Sequence, residues 1–215
     1  MDIRNFKGAI FDLDGTLLDS MTVWHDVDVA FFEKRGMPLP KDYQATIKSM
    51  PFAEMARYTK AQYGLPDSPE DIMQEWTDLS FEAYERRILL KNGAFDLLLK
   101  LKEQGVKLAF ATANRADLSE VCLKANGVDG LFDAHAYLSE VAVSKSEPDI
   151  YHLACKRLGL KPSECVVFED MLPAILGAKN GGYTTCAVFD DSSRHEFDKM
   201  TAVADYAIHS FTELL

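Results

Sequence analysis

From residue 90 onward the chain alternates helix-length segments with short β-favouring runs, and that rhythm restricts its fold more than any other feature. AFDLLLKLKEQG precedes KLAFATAN, ADLSEVCLKANG precedes AHAYL, and PDIYHLACKRLG precedes CVVFED, with YTTCAVF and DYAI continuing the series. Strands alternating with helices imply parallel pairing through right-handed crossovers. The opening run KGAIFDLD has the same apolar, β-favouring character and belongs to the same sheet. Between the two lies a purely helical stretch. VWHDVDVAFFEKRG, with Asp19 or Ser20 as its cap, is ended by Gly36 and Pro38; PFAEMARYTKAQYG closes on Gly64; SPEDIMQEWTDLSFEAYERR opens on a cap, a first-turn proline and two acids. The expected fold is therefore α/β, a doubly wound parallel sheet formed by residues 1–18 and 90–215, with an α-helical domain, residues 19–89, inserted after the first strand. The tail from Asp190 adds a final strand and helices.

Composition narrows the function classes. A chain of 215 residues, 47% of them hydrophobic, suffices for one core and a smaller appended unit. Its formal net charge of −11 disfavours a nucleic-acid backbone or an anionic membrane surface as main partner. An anionic small substrate would need a local positive site. Cys122, Cys155, Cys165 and Cys186 form no CxxC pair and fall in helix or strand interiors, as reduced core residues do. The apolar stretch in MDIRNFKGAIFDLDG is too short for a secretory signal, and no run suits a spanning helix. These features predict a cytoplasmic location.

Ligands of doubly wound sheets gather at the carboxyl ends of the strands. The polar residues found there are Asp12 and Asp14 after the first strand, Thr112, Asn114 and Arg115 after KLAFA, and Glu169 and Asp170 after CVVF. Lys145 lies in SKSEPDIY, ahead of a helix whose first turn should hold Pro148. Taken singly, each has an ordinary structural explanation: an acidic turn, a strand threonine, a solvated lysine, a helix cap. Together they place four carboxylates, a hydroxyl and an amine in one crevice. Carboxylates so gathered repel one another unless a cation neutralises them. Oxygen ligands without His or Cys favour a hard ion, Mg²⁺, which completes its shell with water and phosphate oxygens. Phosphate in turn accounts for Thr112, Asn114 and Lys145 as hydrogen-bonding and charged partners. A carboxylate free to attack phosphorus is Asp12, and Asp14 is placed to protonate the leaving oxygen and then to activate water.

FDLDGTLLDS, FATAN, SKSEPDIY and VVFED, in that order, resemble the motifs of the haloacid dehalogenase superfamily, in its phosphatase and phosphomutase branch with an inserted helical cap. The resemblance covers nearly the whole chain. It implies Asp12 as nucleophile, Asp14 as general acid and base, and Thr112 and Lys145 as phosphate binders. It further implies that Asp12, the backbone carbonyl of Asp14, and Asp170 bind Mg²⁺, with Glu169 a second or outer ligand. Two departures stand out: Ser144 and Ser146 flank the lysine where the family has glycine and proline, and Met171 and Ala174 replace a serine and a glycine after the acidic pair.

The cap must choose the substrate, because the phosphate site sees only what all candidates share. The turn TIKSMPFAE offers Lys48, and the first cap helix offers His25. Trp24 groups with Val23, Val27 and Phe31 as core packing. The resulting expectation is a Mg²⁺-dependent phosphomonoester hydrolase acting on a small phosphorylated metabolite, a sugar phosphate, through an aspartyl-phosphate. A hexose phosphomutase of the β-phosphoglucomutase type is the alternative; that branch carries a histidine in its first cap helix, from which His25 is displaced by one position. A dehalogenase is disfavoured because that branch lacks the second aspartate, and a catalytically silent metabolite-binding regulator by the retention of every charge-bearing residue.

Overall fold

The segment GAIF is buried at every position, as a strand covered on both faces must be. It forms β1 (Gly8–Phe11) of a sheet completed by β2 (Lys107–Thr112), β3 (Ala134–Tyr137), β4 (Cys165–Glu169), β5 (Thr184–Val188) and β6 (Tyr206–Ile208). The computed structural model describes residues 3–47 and 50–215. All strand pairs are parallel, in the order β3-β2-β1-β4-β5-β6, so the winding reverses direction at the centre. The crevice at such a reversal, beyond the carboxyl ends of β1 and β4, is the usual ligand position.

Alternation along β1 decides which face each side chain serves. Ile10 joins Ala109, Val167, Ile150, Tyr151 and Ala154 in the core beneath α7 (Asp149–Leu158). Phe11 points the other way and stacks on Phe168, with centroids 4.5 Å apart and rings 5° from parallel, beside Phe211. That face is covered by Leu97 and Leu98 of α5 (Ala94–Glu103), both fully buried. The remaining helices of this unit are α6 (Ala116–Ala125), α8 (Leu172–Asn180) and α9 (Phe197–Val203). Pro148 occupies the N-cap position of α7 and precedes its first turn, contrary to the sequence expectation, and all four cysteines are free and buried.

The chain divides into two compact units: the part up to Met21 together with Ile88–Leu215, and Thr22–Arg87. The second unit contains α1 (Val23–Glu33), α2 (Tyr43–Ile47), α3 (Phe52–Tyr63) and α4 (Pro69–Arg86). Its core is aromatic, with Phe31, Phe32, Tyr43 and Trp76 in edge or tilted contact. Ser68 caps α4 reciprocally with Asp71, and Pro69 follows in its first turn. Three sequence expectations need correction here. Thr22, not Asp19 or Ser20, precedes α1, and it makes no side-chain cap bond. Thr46 and Ile47, read as turn, end the short helix α2. Trp24 is 49% exposed although Val23, Val27 and Phe31 are buried. Those three recur at a spacing of four and share a helix face, whereas Trp24 lies about 100° around from Val23. Among the described residues no helix is long and apolar enough to cross a membrane.

Candidate active site

Register alone sets Asp12 beside the acidic end of β4. Phe11 pairs with Phe168, and the Asp12 N–H donates to the Phe168 carbonyl at 3.0 Å, so Asp12 and Glu169 leave the sheet side by side. Asp12, Glu169 and Asp170 are all buried, and each has an oxygen within 4.8 Å of the others'. Lys145 closes the group by donating to Asp12 Oδ1 and, at 2.7 Å, to Glu169 Oε1. Glu169 Oε1 also accepts the Tyr151 hydroxyl from α7 at 2.8 Å. Asp170 Oδ1 accepts the Thr16 hydroxyl at 3.0 Å.

Three buried carboxylates face one ammonium, and the imbalance shows in their proton affinities. Burial, reinforced by the Asp12 charge, lifts Glu169 to about 8 and Asp170 to about 7, against the pull of Lys145. Burial raises Asp12 as well, although Lys145 opposes it. Burial works against the Lys145 charge, but the carboxylates of Asp12 and Glu169 outweigh it and hold the ammonium protonated. An all-oxygen, buried set with surplus negative charge fits a hard divalent cation.

Two glycines make the arrangement sterically possible. Gly15 has φ +79°, and a Cβ there would lie 2.4 Å from Asp170 Oδ2, so the turn after Asp14 approaches Asp170 as only glycine permits. Gly177 of α8 lies under the Lys145 loop, where a Cβ would meet the Lys145 carbonyl at 2.2 Å. The hydroxyls of Ser144 and Ser146, which replace the family's usual residues, bond each other at 2.7 Å. Met171 stands at the N-cap of α8 without a side-chain bond and is half exposed; Ala174, in place of glycine, is buried.

Asp14 stands apart from the acidic trio. Its Oδ1 accepts the Ser20 hydroxyl at 2.6 Å and its Oδ2 accepts the Asn114 amide at 2.8 Å. Ser20 is thus tied to Asp14, away from the helix terminus it was expected to cap. Asn114, expected among the phosphate binders, donates one of its two amide hydrogens to Asp14. Thr112, buried at the end of β2, accepts the Asn114 N–H on its hydroxyl oxygen at 3.0 Å. Arg115 is exposed and paired with Asp117. The structure therefore brings together Asp12, Lys145, Glu169 and Asp170, and joins Asp14 to Asn114 and Thr112. Thr16, Ser20 and Tyr151 fall within the stretches FDLDGTLLDS and SKSEPDIY but were given no part in the site from sequence, Ser20 being read as a helix cap; Gly177 was not singled out.

Of the residues expected to meet substrate in the helical unit, Lys48 lies outside the described residues. His25 is exposed on α1 and faces Gln44 of α2, with Nδ1 and Oε1 3.2 Å apart. Gln44 Nε2 donates to Asp28 Oδ2 at 3.0 Å. Because an ionised carboxylate only accepts, the amide must turn its NH₂ to Asp28 and its oxygen to His25. Nδ1 of His25 then carries a hydrogen and donates it to Gln44 Oε1. Burial pushes the Asp28 carboxyl up to about 6, against the Gln44 bond and the His25 ring. A raised carboxyl favours the folded state only while protonated. Its contribution is intact below pH ~4 and is lost as pH rises through about 6, at a cost of roughly 2 kcal/mol after allowance for solvent reaching the group. Asp28→Asn should therefore raise the urea midpoint at pH 7.5 and leave it unchanged near pH 3.5; equal shifts at both would refute the assignment.

The chain matches the haloacid dehalogenase-like hydrolase family model over residues 6–182. It is 30% identical to hexitol phosphatase A of Escherichia coli (strain K12), covering 97% of this chain and 93% of that protein. Identity to validoxylamine A 7'-phosphate phosphatase of Streptomyces hygroscopicus subsp. limoneus is 28%, covering 97% and 96%. The crystal structure of CbbY from Rhodobacter sphaeroides in complex with phosphate superposes with a TM-score of 0.76 at 27% identity, over 97% of this chain and 96% of that one. With a model match across most of its length, on a sheet of the required winding and motifs in the required order, the chain belongs to the haloacid dehalogenase-like hydrolases.

Proposed function

We propose that this enzyme hydrolyses the phosphomonoester of a small phosphorylated metabolite of the sugar or polyol class, through a phosphoryl group carried transiently on Asp12. The observation that carries this reading is the contact of Lys145 with Asp12 and Glu169 inside a buried acidic cluster. A nucleophilic carboxylate must be dehydrated, oriented and kept ionised, and Lys145 supplies the charge that does so. Asp14, oriented by Ser20 and Asn114, protonates the departing oxygen and then takes a proton from the attacking water. Thr112 accepts from Asn114, which leaves its own hydroxyl hydrogen for a phosphoryl oxygen. Asp12, Asp170 and the Asp14 carbonyl, with Glu169 behind them, are the residues that would hold Mg²⁺. That ion supplies neutralisation of the carboxylates and of the phosphoryl charge.

The helical unit acts in this reading as the cap that selects the leaving group, with His25 and Lys48 as the residues that meet substrate hydroxyls. Support for a sugar or polyol comes from the relatives, two of which are named as phosphatases of a hexitol and of validoxylamine A 7'-phosphate. The test is phosphate release across a panel of hexose, pentose, hexitol and nucleoside monophosphates with Mg²⁺. Release from the sugar or hexitol esters, absent in Asp12→Asn, is the expected outcome. Isomerised product without release would mean a mutase, and binding without either would mean a silent regulator.

A further inference from the structure

We infer that Lys91 is a positioning residue for the catalytic turn, a part that nothing in the sequence motifs gives it. The inference rests on the reading of Asp12 as the reacting carboxylate. Lys91 follows the point at which the chain re-enters the sheet unit after the helical insertion, at Ile88. Its side chain is 15% exposed, and its ammonium has all three hydrogens placed: on the Gly15 carbonyl, on the Phe189 carbonyl at 2.9 Å, and on Asp190 Oδ2 at 2.8 Å. Its backbone N–H donates to the Leu17 carbonyl at 2.9 Å. One residue thus grips the turn Leu13–Leu18 twice, through side chain and main chain. The Asp19 N–H on the Leu89 carbonyl, at 2.9 Å, and a bridge between Leu18 and Leu90 extend the same lacing.

Gly15 is the part of that turn with no spare room. It lies against Asp170 so closely that a single added carbon would overlap Oδ2, and its neighbours in the chain include Asp14 and Thr16, the latter bonded to Asp170. Fixing the Gly15 carbonyl therefore fixes where Asp14, Thr16 and Asp170 stand relative to Asp12. Asp190 supports Lys91 from the other side. It is buried and accepts the backbone N–H and hydroxyl of Ser192, at 2.9 and 2.6 Å, so the ammonium is anchored to the end of β5. Without Lys91 the turn keeps its own internal bonds but loses its tie to that strand. Misplacement of reacting groups by about 1 Å is enough to lower turnover about a hundredfold.

Three variants separate positioning from mere support of the fold. Lys91→Met should lower kcat about ten- to a hundredfold, change KM less than about threefold, and lower the melting temperature because Asp190 is left unpaired. In Lys91→Met/Asp190→Asn no charge is stranded, so the melting temperature should recover while kcat does not. Lys91→Arg, which can restore a hydrogen bond to the Gly15 carbonyl, should regain part of kcat. Native kcat in either methionine variant, recovery of kcat together with the melting temperature in the double variant, or a loss confined to KM overturns the inference. Asp12→Asn measured alongside keeps two failures apart: if it retains turnover, the assignment of the reaction centre fails, and if it is dead while Lys91→Met is fully active, only the role of Lys91 fails.

Discussion

Asp12→Asn is expected to give a folded protein whose phosphate release has fallen by about a thousandfold or more, the scale on which a covalent nucleophile is lost. The substitution is nearly isosteric, and the asparagine oxygen can still accept from Lys145. It removes one negative charge from a buried group of three, the others being Glu169 and Asp170, whose proton affinities Asp12 itself helps to raise. Lys145 keeps Glu169 as partner at 2.7 Å. In chelator the variant should therefore melt at or above the native temperature, which separates lost chemistry from lost structure. Acid quenching after a pulse of labelled ester should recover label on residue 12 of the native enzyme and none on the variant. Native-level turnover by Asp12→Asn would falsify the covalent route.

The opposite balance of effects is expected for Lys145→Met. Here the sole ammonium of the cluster disappears while Asp12 and Glu169 stay buried, and breaking a buried ion pair from one side costs about 3–5 kcal/mol. The penalty depends on pH in a definite direction. Glu169 and Asp170 already sit at about 8 and about 7 in the native protein, so their folded values exceed the unfolded ones. Groups raised in this way destabilise the fold in their ionised form, so in chelator native stability declines as pH climbs from about 5 through 8. Loss of Lys145 raises the carboxylates further, so the variant should lie close to native at pH 5.5 and fall well below it at pH 9. Excess Mg²⁺ at high pH should return much of the lost melting temperature. Turnover should stay depressed about a hundredfold or more, because charge stabilisation at the phosphoryl group is missing. A melting curve indifferent to pH, in a variant with native turnover, would refute the role of Lys145.

Both experiments concern groups whose neighbourhood could be anticipated because each sits where a strand runs out. The parallel α/β rhythm forces β1, β2 and β4 to end at one edge, and a strand reading therefore carries Asp12, Thr112, Glu169 and Asp170 to a common edge before any contact is known. Lys145 lies in a loop, and its family motif carried the argument where periodicity could not. Local pattern misled at Trp24, where an apolar residue on a helix was assigned to the core by type although the phase of Val23, Val27 and Phe31 turns it outward. It misled also at Ser20, whose capping chemistry was plausible locally while its hydroxyl was used by Asp14.

Sequence by itself determined the alternation of buried strands and amphipathic helices, the interruption of that series by a helical block, and the order of the charged residues at strand ends. These follow from period, turn chemistry and residue type, all of which act over a few positions. Only the tertiary structure decided that Tyr151 orients Glu169, that Asn114 and Ser20 together hold Asp14, that Gly177 admits the Lys145 loop, and that Lys91 clamps Gly15. Except for Ser20, those partners are 18 to 100 residues apart or meet through a backbone surface. Such pairings are set by how helices pack on the finished sheet, a property of the closed assembly that no local stretch of chain encodes.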